Sequence, residues 1–192
     1  MKTTQYQPAA AETLCGDSFW HLRILDNPVR RYLQNPEKIL KGRVNRGMTA
    51  LDIGCGPGVF TRTLASMVGE GGSVIAVDLQ DGMLRHARKR SADHPYGSRI
   101  TWHQCRPDTL QLSTPVDFAL SMYMVHEVPD RERLFSEVYG LLRPGGRYLV
   151  VEPVFHVTRE SFIETEEIAV RAGFHVAERP AFSLSRSILL ER

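Results

Sequence analysis

Residues 51–58 have the sequence Leu51-Asp52-Ile53-Gly54-Cys55-Gly56-Pro57-Gly58, and this stretch decides the fold. Its mostly apolar beginning is typical of a buried strand, and the alternate glycines are typical of a sharp turn into a helix. Glycines have no side chain to obstruct a ligand, and the N-terminus of the following helix offers free backbone amides. The stretch therefore predicts a ligand-binding turn between the first strand and the first helix of an α/β sheet.

A second strand, Val74–Asp78, ends in an acid about twenty residues further on, where a carboxylate can accept hydrogen bonds from both hydroxyls of a ribose. The loop spacing is Gly54-x-Gly56-x-Gly58, whereas a Gly-x-Gly-x-x-Gly dinucleotide loop would need glycine at Val59. Asp52 stands where a carboxylate can reach a cationic group such as an ammonium. The ligand predicted from these features is a nucleoside with a cationic substituent, rather than a pyrophosphate.

Strand-like and helix-like runs alternate from about Thr49 to the C-terminus, which predicts a mostly parallel sheet with helices on both faces. Asp81 is predicted to cap the second helix, and Ser161 with Glu164 has the spacing of a capping box for the last. Pro144-Gly145-Gly146 is predicted to turn the chain into a strand at Arg147. The predicted helices are Val59–Val68, Gly82–Lys89, Arg131–Leu142 and the run after Ser161. The predicted strands are Ala50–Ile53, Val74–Asp78, Ile100–Gln104, Val116–Ser121 and Arg147–Glu152. A closing antiparallel pair is predicted at Phe174–Glu178 and Ser187–Leu190.

Size and composition favour one globular domain. The chain has 192 residues, and 42% of them are apolar, which is enough for a substantial core. A net charge of +2 gives no strong attraction to nucleic acid or to an anionic membrane. No stretch approaches the roughly 20 apolar residues of a membrane span, and the polar N-terminus does not resemble a signal peptide. Cys15, Cys55 and Cys105 form neither a disulfide framework nor a zinc pattern, so we expect a cytoplasmic protein without a metal site.

These motifs together resemble the class I S-adenosylmethionine-dependent methyltransferases. The residues that carry the resemblance are Leu51–Gly58, Val74–Leu84, Leu141–Arg147 and Ala172–Phe174, which occur in the family's order from about Thr49 to the C-terminus. The chain is most similar to the ubiquinone and menaquinone biosynthesis type, a methyltransferase type 11-like domain. The resemblance implies a Rossmann-like, doubly wound sheet of seven strands with an antiparallel last strand. It places this domain at residues 47–192. Apolar residues such as Phe19 and Trp20, interrupted by Pro28 and Pro36, predict an N-terminal helical segment, residues 1–46, that either covers the core or packs on or caps the active site.

The resemblance also implies the cofactor, S-adenosyl-L-methionine, and its product, S-adenosyl-L-homocysteine. Gly54, Gly56 and Gly58 would line it, Asp78 would hold the ribose, and Leu79 would lie against the adenine. Relatives commonly carry Gly-Asp after the third strand, where the acid reaches the adenine amino group, but this chain has Cys105-Arg106. Backbone groups near Arg106 and Pro107, or the side chain of Asp108, are the candidate substitutes. The complete set of predicted cofactor residues is Asp52, Gly54, Cys55, Gly56, Gly58, Asp78, Leu79, Arg106, Pro107 and Met122.

The methyl acceptor is expected beyond the carboxyl ends of the fourth and fifth strands, following the general rule for open α/β sheets. His126 is the candidate general base because of its residue type and its location. The alternative interpretation is that His126 only caps or packs its loop. The predicted acceptor pocket comprises Trp20, Tyr123, Met124, His126 and Glu152.

Three functions remain open from the sequence. The first is methyl transfer to a small molecule, the second is methyl transfer to RNA or protein, and the third is cofactor binding without catalysis. The chain lacks the Asn-Pro-Pro-Tyr and Pro-Cys motifs of amine and cytosine methylation, and a charged helix face accounts for Arg85, Arg88, Lys89 and Arg90. We therefore expect a small-molecule acceptor, no nucleic-acid partner, no membrane span, and a monomer or homodimer.

Overall fold

Seven strands form one sheet in the computed structural model, which describes residues 35–192. The strands are β1 Thr49–Ile53, β2 Ser73–Asp78, β3 Ile100–Gln104, β4 Val116–Met122, β5 Leu142–Pro153, β6 His175–Glu178 and β7 Ser185–Glu191. Their order is β3-β2-β1-β4-β5-β7-β6, and β7 runs antiparallel to both of its neighbours, while the pairs from β3 to β5 are parallel. The predicted fold class is confirmed, including the antiparallel last strand.

Helices cover both faces of the sheet. They are α1 Pro36–Leu40, α2 Val59–Met67, α3 Asp81–Ser91, α4 Arg131–Leu141 and α5 Arg159–Arg171, with short 3₁₀ turns at Gly97–Arg99 and Val125–Glu127. Helices α1, α2 and α3 pack with alternate strand residues into one apolar core, and α4 and α5 build the other. This two-sided burial explains why the central strands are almost entirely apolar.

Two predicted helix starts are wrong. Asp81 is the first residue of α3 and pairs with Arg85, while Gln80 occupies the cap position. The Asp78 carboxylate accepts the Gln80 N–H at 2.9 Å, and this turn begins the helix one residue early. Helix α5 is capped by Thr158, whose hydroxyl oxygen accepts the N–H of Ser161 at 3.2 Å. Ser161 therefore lies in the first turn of the helix, because Thr158 already provides the capping oxygen three residues earlier.

The predicted turn at Pro144-Gly145-Gly146 lies within the bounds of β5, as an irregularity of that strand. The pairing of β4 with β5 jumps from Val116–Leu142 to Phe118–Arg147, so the extra residues form an irregularity within the strand. Gly145 donates its N–H to the carbonyl of Arg192, and the Gly146 carbonyl accepts the Arg192 N–H, both at 3.0 Å. Gly145 has a φ of 76°, so the chain turns here as predicted, and the pairing with Arg192 holds the turn beside the end of β7.

Part of the N-terminal segment is described. The Asn35 side chain caps α1 by accepting the Lys38 N–H, and Ile39 and Leu40 are buried against the core that contains α2. The prediction that residues 1–46 cap the active site, and the prediction for Trp20, depend on residues 1–34, which lie outside the described residues.

The strand order reverses beside β1, since the chain continues to β2 on one side and β4 lies on the other. In open α/β sheets such a reversal opens a crevice at the carboxyl ends of the strands. The glycine loop after β1, Asp78 at the end of β2 and the turn after β4 all lie at this edge.

Candidate active site

The three loop glycines have left-handed backbone conformations, with φ of 69° at Gly54, 50° at Gly56 and 75° at Gly58, a region that side chains disfavour. Their surroundings differ. A Cβ on Gly54 would lie 2.8 Å from Cγ of Met124, and one on Gly58 would lie 3.1 Å from the Ala87 methyl, so protein packing requires both glycines. A Cβ on Gly56 would meet no atom within 4 Å. Of the three, Gly56 is therefore the glycine that faces open space.

Asp52 is buried beneath this loop. Its carboxylate accepts a hydrogen bond from the Thr61 hydroxyl of α2 at 2.5 Å, and the residue is only 1% exposed. Burial raises the pKa of Asp52 to about 7, and the nearby carboxylate of Asp78 adds to the rise, while the Thr61 hydrogen bond opposes it. The Asp52 side chain therefore does not reach the surface, and its carboxylate connects β1 to α2 through Thr61.

Asp78 connects the glycine loop to the end of β2. One carboxylate oxygen accepts the Gly56 N–H at 2.8 Å, and the other accepts the Gln80 N–H at 2.9 Å. Burial raises the pKa of Asp78, although these backbone hydrogen bonds oppose the rise. The Leu79 backbone is a third hydrogen-bonding group that lowers the pKa of Asp78, and the carboxylate keeps acceptor capacity for a hydroxyl. Leu79 follows with 40% of its surface exposed, which is unusual for a leucine beside a strand end.

The two described cysteines lie on either side of Asp78 as free thiols. Burial raises the pKa of the Cys55 thiol, and burial with the nearby Asp78 carboxylate raises the pKa of Cys105 to about 11. A thiol must lose its proton to act as a nucleophile or metal ligand. Both cysteines are therefore packing residues at neutral pH, and no group of three or more metal-ligating side chains occurs within residues 35–192.

His126 lies in the 3₁₀ turn after β4 and is held by Glu152 at the end of β5. One Glu152 oxygen is hydrogen-bonded to Nδ1 of His126, and the other accepts the Val125 N–H at 2.9 Å. The hydrogen bond to Glu152 raises the pKa of His126, while partial burial opposes the rise. Glu152 was predicted to line the acceptor pocket, but it is 1% exposed and lies behind His126. The imidazole, of which a quarter is exposed, is the group that reaches the crevice.

One aromatic ring packs directly on His126, and a second aromatic ring packs on the first. The His156 ring stacks on that of His126 with centroids 5.9 Å apart and 14° between the planes, and Phe155 contacts His156 edge-on. Phe155 and Leu184 are exposed, at 65% and 53%. Residue type and strand position identified His126 and Glu152, but the stacking of His156 on His126 follows only from the fold.

Tyr123 has a φ of 63°, which is rare for a residue with a side chain and often marks a functional site. Its hydroxyl is hydrogen-bonded to that of Ser185 at 2.7 Å. Met124 packs over Gly54, whereas Met122 is buried in the core. Met124 therefore contacts the glycine loop, and Tyr123 and Met124 directly precede the turn that carries His126; their place in an acceptor pocket stays a prediction.

Comparison with known proteins identifies the family. Residues 50–146 match the methyltransferase domain family, which is half of the chain. The chain belongs to this family. The match runs from β1 through the glycine loop, Asp78 and His126 to the irregular start of β5.

Curated relatives of this methyltransferase are similar over part of their length. A ubiquinone/menaquinone biosynthesis C-methyltransferase from Hahella chejuensis is 33% identical over 113 residues, which are 58% of this chain and 45% of that protein. A demethylmenaquinone methyltransferase from Symbiobacterium thermophilum is 32% identical over 158 residues, which are 72% of this chain and 60% of that protein. The chain thus spans roughly half the length of these relatives.

Solved structures show the same fold. A SAM dependent methyltransferase from Aquifex aeolicus superposes with a TM-score of 0.81 at 25% identity, covering 90% of this chain and 97% of that one. A putative methyltransferase from Haloferax volcanii, solved with the activator Trm112, superposes with a TM-score of 0.72 at 18% identity, covering 90% and 95%.

The cofactor of this methyltransferase is S-adenosylmethionine, as family and fold together imply. The described residues fit this cofactor. Gly56 leaves open space over the loop, and Asp78 offers carboxylate lone pairs at the strand end where a ribose would lie. Asp52 is a second acid, and it lies close enough to Asp78 for the Asp78 carboxylate to raise the pKa of Asp52. Two neighbouring acids suit a ligand with a net positive charge.

Within residues 35–192, the helices are too short or too polar to span a membrane.

Proposed function

We propose that the protein transfers a methyl group from S-adenosylmethionine to a small molecule that carries an acidic hydroxyl, of the phenolic or quinone type. The observation that carries the proposal is the His126–Glu152 pair, which lies at the same sheet edge as the glycine loop. The relatives' names, a C-methyltransferase of quinone biosynthesis and a demethylmenaquinone methyltransferase, support a small aromatic acceptor.

The pair defines which imidazole nitrogen takes part. Because the Glu152 carboxylate can only accept, it favours the neutral tautomer with the proton on Nδ1, and this leaves a lone pair on Nε2. Glu152 also stabilises the imidazolium that forms when Nε2 takes a proton. A histidine oriented by a buried carboxylate is a recurring arrangement of general bases.

The proposed reaction starts with proton transfer from the acceptor hydroxyl to Nε2 of His126. Bound S-adenosylmethionine supplies the activated methyl group. The electron pair left on the acceptor oxygen, or on a ring carbon conjugated with it, forms the new bond to the methyl carbon, and the carbon–sulfur pair stays on sulfur. After attack through carbon, that carbon loses its proton and the hydroxyl is restored. His126 then returns its proton to solvent.

The surroundings of His126 favour a small, planar acceptor over RNA. The exposed Phe155 and the stacked His156 provide aromatic surface beside it. The charged groups that act on His126 are Glu152 and Glu127, and both are acidic. The basic cluster that includes Arg88 and Lys89 lies on α3, which follows β2 rather than β4. A polyanion would be repelled at His126, so the RNA alternative is disfavoured.

The proposal also favours catalysis over cofactor binding alone. Cofactor binding at the glycine loop does not need the His126–Glu152 pair. A general base does need a partly exposed imidazole that a buried carboxylate orients. The cytoplasmic location, the monomer or homodimer state and the capping role of residues 1–46 stay predictions.

Incubation with methyl-labelled S-adenosylmethionine and a cell extract tests the proposal. We expect the label in the small-molecule fraction. The labelled compound should take up no label when its hydroxyl has been methylated before the incubation. Label confined to RNA or to protein would contradict the proposed acceptor class. Absence of label from all fractions, with S-adenosylhomocysteine still bound, would favour a binding protein.

A further inference from the structure

A second carboxylate, that of Glu127, lies on the Nε2 side of His126. Glu127 is the last residue of the 3₁₀ turn Val125–Glu127, and its N–H donates to the carbonyl of Met124 at 3.0 Å, which fixes its backbone. One of its carboxylate oxygens lies 3.9 Å from Nε2 of His126. Nε2 is the nitrogen that the proposed reaction uses, because Glu152 holds Nδ1. Glu127 therefore adjoins the point where the acceptor hydroxyl would bind.

Folding alone does not account for a carboxylate at this position. The Glu127 side chain is 76% exposed, and within the described part of the chain its carboxylate contacts no charged or hydrogen-bonding side chain besides His126. An exposed contact of this kind contributes little to stability. Glu127 is also not needed to orient the base. Hydrogen bonding to Glu152 is the main cause that raises the pKa of His126, and the charge of Glu127 adds the smallest contribution.

Nε2 of His126 and the Glu127 carboxylate form a pair of hydrogen-bond acceptors. With the imidazole proton on Nδ1, Nε2 can only accept, and an ionised carboxylate likewise can only accept. Their separation of 3.9 Å is longer than a hydrogen bond, so no proton is shared between them. The chemical complement of two neighbouring acceptors is a ligand that brings two neighbouring donors.

We propose that the methyl acceptor carries two vicinal hydroxyls on an aromatic ring, as in a catechol, and that Glu127 determines this specificity. One hydroxyl donates to Nε2 of His126, and its neighbour donates to the near oxygen of Glu127. Vicinal hydroxyls leave the ring side by side, so both can reach acceptors that are 3.9 Å apart. Hydroxyls at distant ring positions point away from each other and cannot. The inference rests on the proposed function, because His126 must be the base that receives the first hydroxyl.

Calorimetric titration of the protein saturated with S-adenosylhomocysteine tests this inference with three naphthols. The hydroxyls of 2,3-dihydroxynaphthalene are vicinal, those of 2,7-dihydroxynaphthalene lie on different rings, and 2-naphthol has one hydroxyl. We expect the wild-type protein to bind the vicinal compound about tenfold more tightly than either of the others, the value of one hydrogen bond to a charged group.

Variants at Glu127 assign that preference to its carboxylate. Glu127→Ala should reduce the preference to less than about twofold and leave the 2-naphthol affinity within about twofold of wild type. Glu127→Gln keeps an accepting oxygen without the charge and should retain a preference of about threefold. A purely electrostatic effect on His126 would instead change all three affinities together. Glu70→Ala is the matched control and should keep the full preference, because this exposed acid precedes β2 and lies at the opposite edge of the sheet.

Two kinds of failure can be told apart. Equal wild-type affinities for 2,3-dihydroxynaphthalene and 2-naphthol, or a preference that Glu127→Ala leaves intact, would overturn this inference while the phenolic acceptor class stands. A protein that binds S-adenosylhomocysteine but none of the three naphthols would contradict the proposed function as well.

Discussion

Glu152 accepts a hydrogen bond from Nδ1 of His126, although the two residues are 26 positions apart and belong to neighbouring strand ends. Strand β5 brings the carboxylate beside the turn after β4, and the same carboxylate fixes that turn through the Val125 N–H. One buried acid therefore sets both the backbone position and the ring orientation of the proposed base.

Replacing Glu152 by Gln is expected to lower the pKa of His126, because the hydrogen-bonded negative charge that raises it is lost. NMR titration of the His126 ring protons measures this without a substrate. Turnover requires neutral His126, so it should rise with pH through the raised pKa in the wild-type protein. In Glu152→Gln that rise should move to lower pH, with a lower plateau because the tautomer is no longer enforced. His156→Ala, which removes the ring stacked on His126 but keeps Glu152, is the matched control. An unchanged His126 titration in Glu152→Gln would contradict the account.

Alanine at Gly54 and at Gly56 should have different consequences. Both positions have positive φ, which costs about 1 kcal/mol for a residue with a side chain. The methyl group added by Gly54→Ala would also collide with Met124, so this variant should lose a further 1–3 kcal/mol, roughly, of unfolding free energy in urea. Gly56→Ala meets no protein atom, so its main effect should be a loss of S-adenosylhomocysteine affinity of at least about tenfold. If Gly54→Ala and Gly56→Ala were equally stable and lost the same S-adenosylhomocysteine affinity, Gly56 would not be the glycine that faces the cofactor.

Binding of S-adenosylmethionine should release a proton at pH 6 to 6.5. Asp52 has a pKa of about 7 in the free protein, so it is largely protonated there, and a cationic ligand favours its ionised form. Binding heats should therefore differ between two buffers of different ionisation enthalpy. Asp52→Asn should abolish the difference, and a difference that persists in this variant would assign the proton to another group.

The same pKa has a consequence for stability. The folded protein keeps a proton on Asp52 that the unfolded chain releases, so the stability of the free protein should fall as pH rises from about 4 to 7. Asp52→Asn should flatten this dependence in urea unfolding experiments. Thr61→Val should extend this dependence to higher pH, because loss of the hydrogen bond that lowers the Asp52 pKa raises that pKa further.

Helix α5 offers a test of its corrected start. Thr158→Ala should reduce the unfolding free energy by about 1 kcal/mol, since the capping acceptor for the Ser161 N–H is lost. Ser161→Ala leaves the cap intact and is the matched control, with an expected change below about 0.5 kcal/mol. If Ser161→Ala lost more unfolding free energy than Thr158→Ala, Ser161 would be the capping residue, as the sequence predicted.

The fold could be predicted because its signals are local. The glycine loop, the strand that ends in Asp78 and each of the alternating strands and helices are all recognisable from residues that are close together in the sequence. Helix starts were predicted less well, because Asp81 and Ser161 are suitable residue types that lie inside their helices. Gln80 stands at the N-cap position of α3, and Thr158 caps α5.

The site depends on contacts between distant residues, and this limits what sequence can predict. Asp52 was expected near the cofactor, but its burial under Thr61 follows from how α2 packs on β1. Glu152 was expected in the pocket, and only the pairing of β4 with β5 places it behind His126. The ion pairs of Asp108 with Arg106 and Arg133 likewise require α4 to approach the end of β3.

The most direct test of the proposed chemistry compares wild type with His126→Ala. Two quantities are measured for each protein: the rate of labelled methyl transfer to the small-molecule acceptor, and the affinity for S-adenosylhomocysteine. The account predicts that the variant binds S-adenosylhomocysteine within about threefold of wild type. Its transfer rate should fall by at least about 100-fold, the usual contribution of a general base. An unchanged transfer rate in His126→Ala would contradict the assignment of His126 as the base.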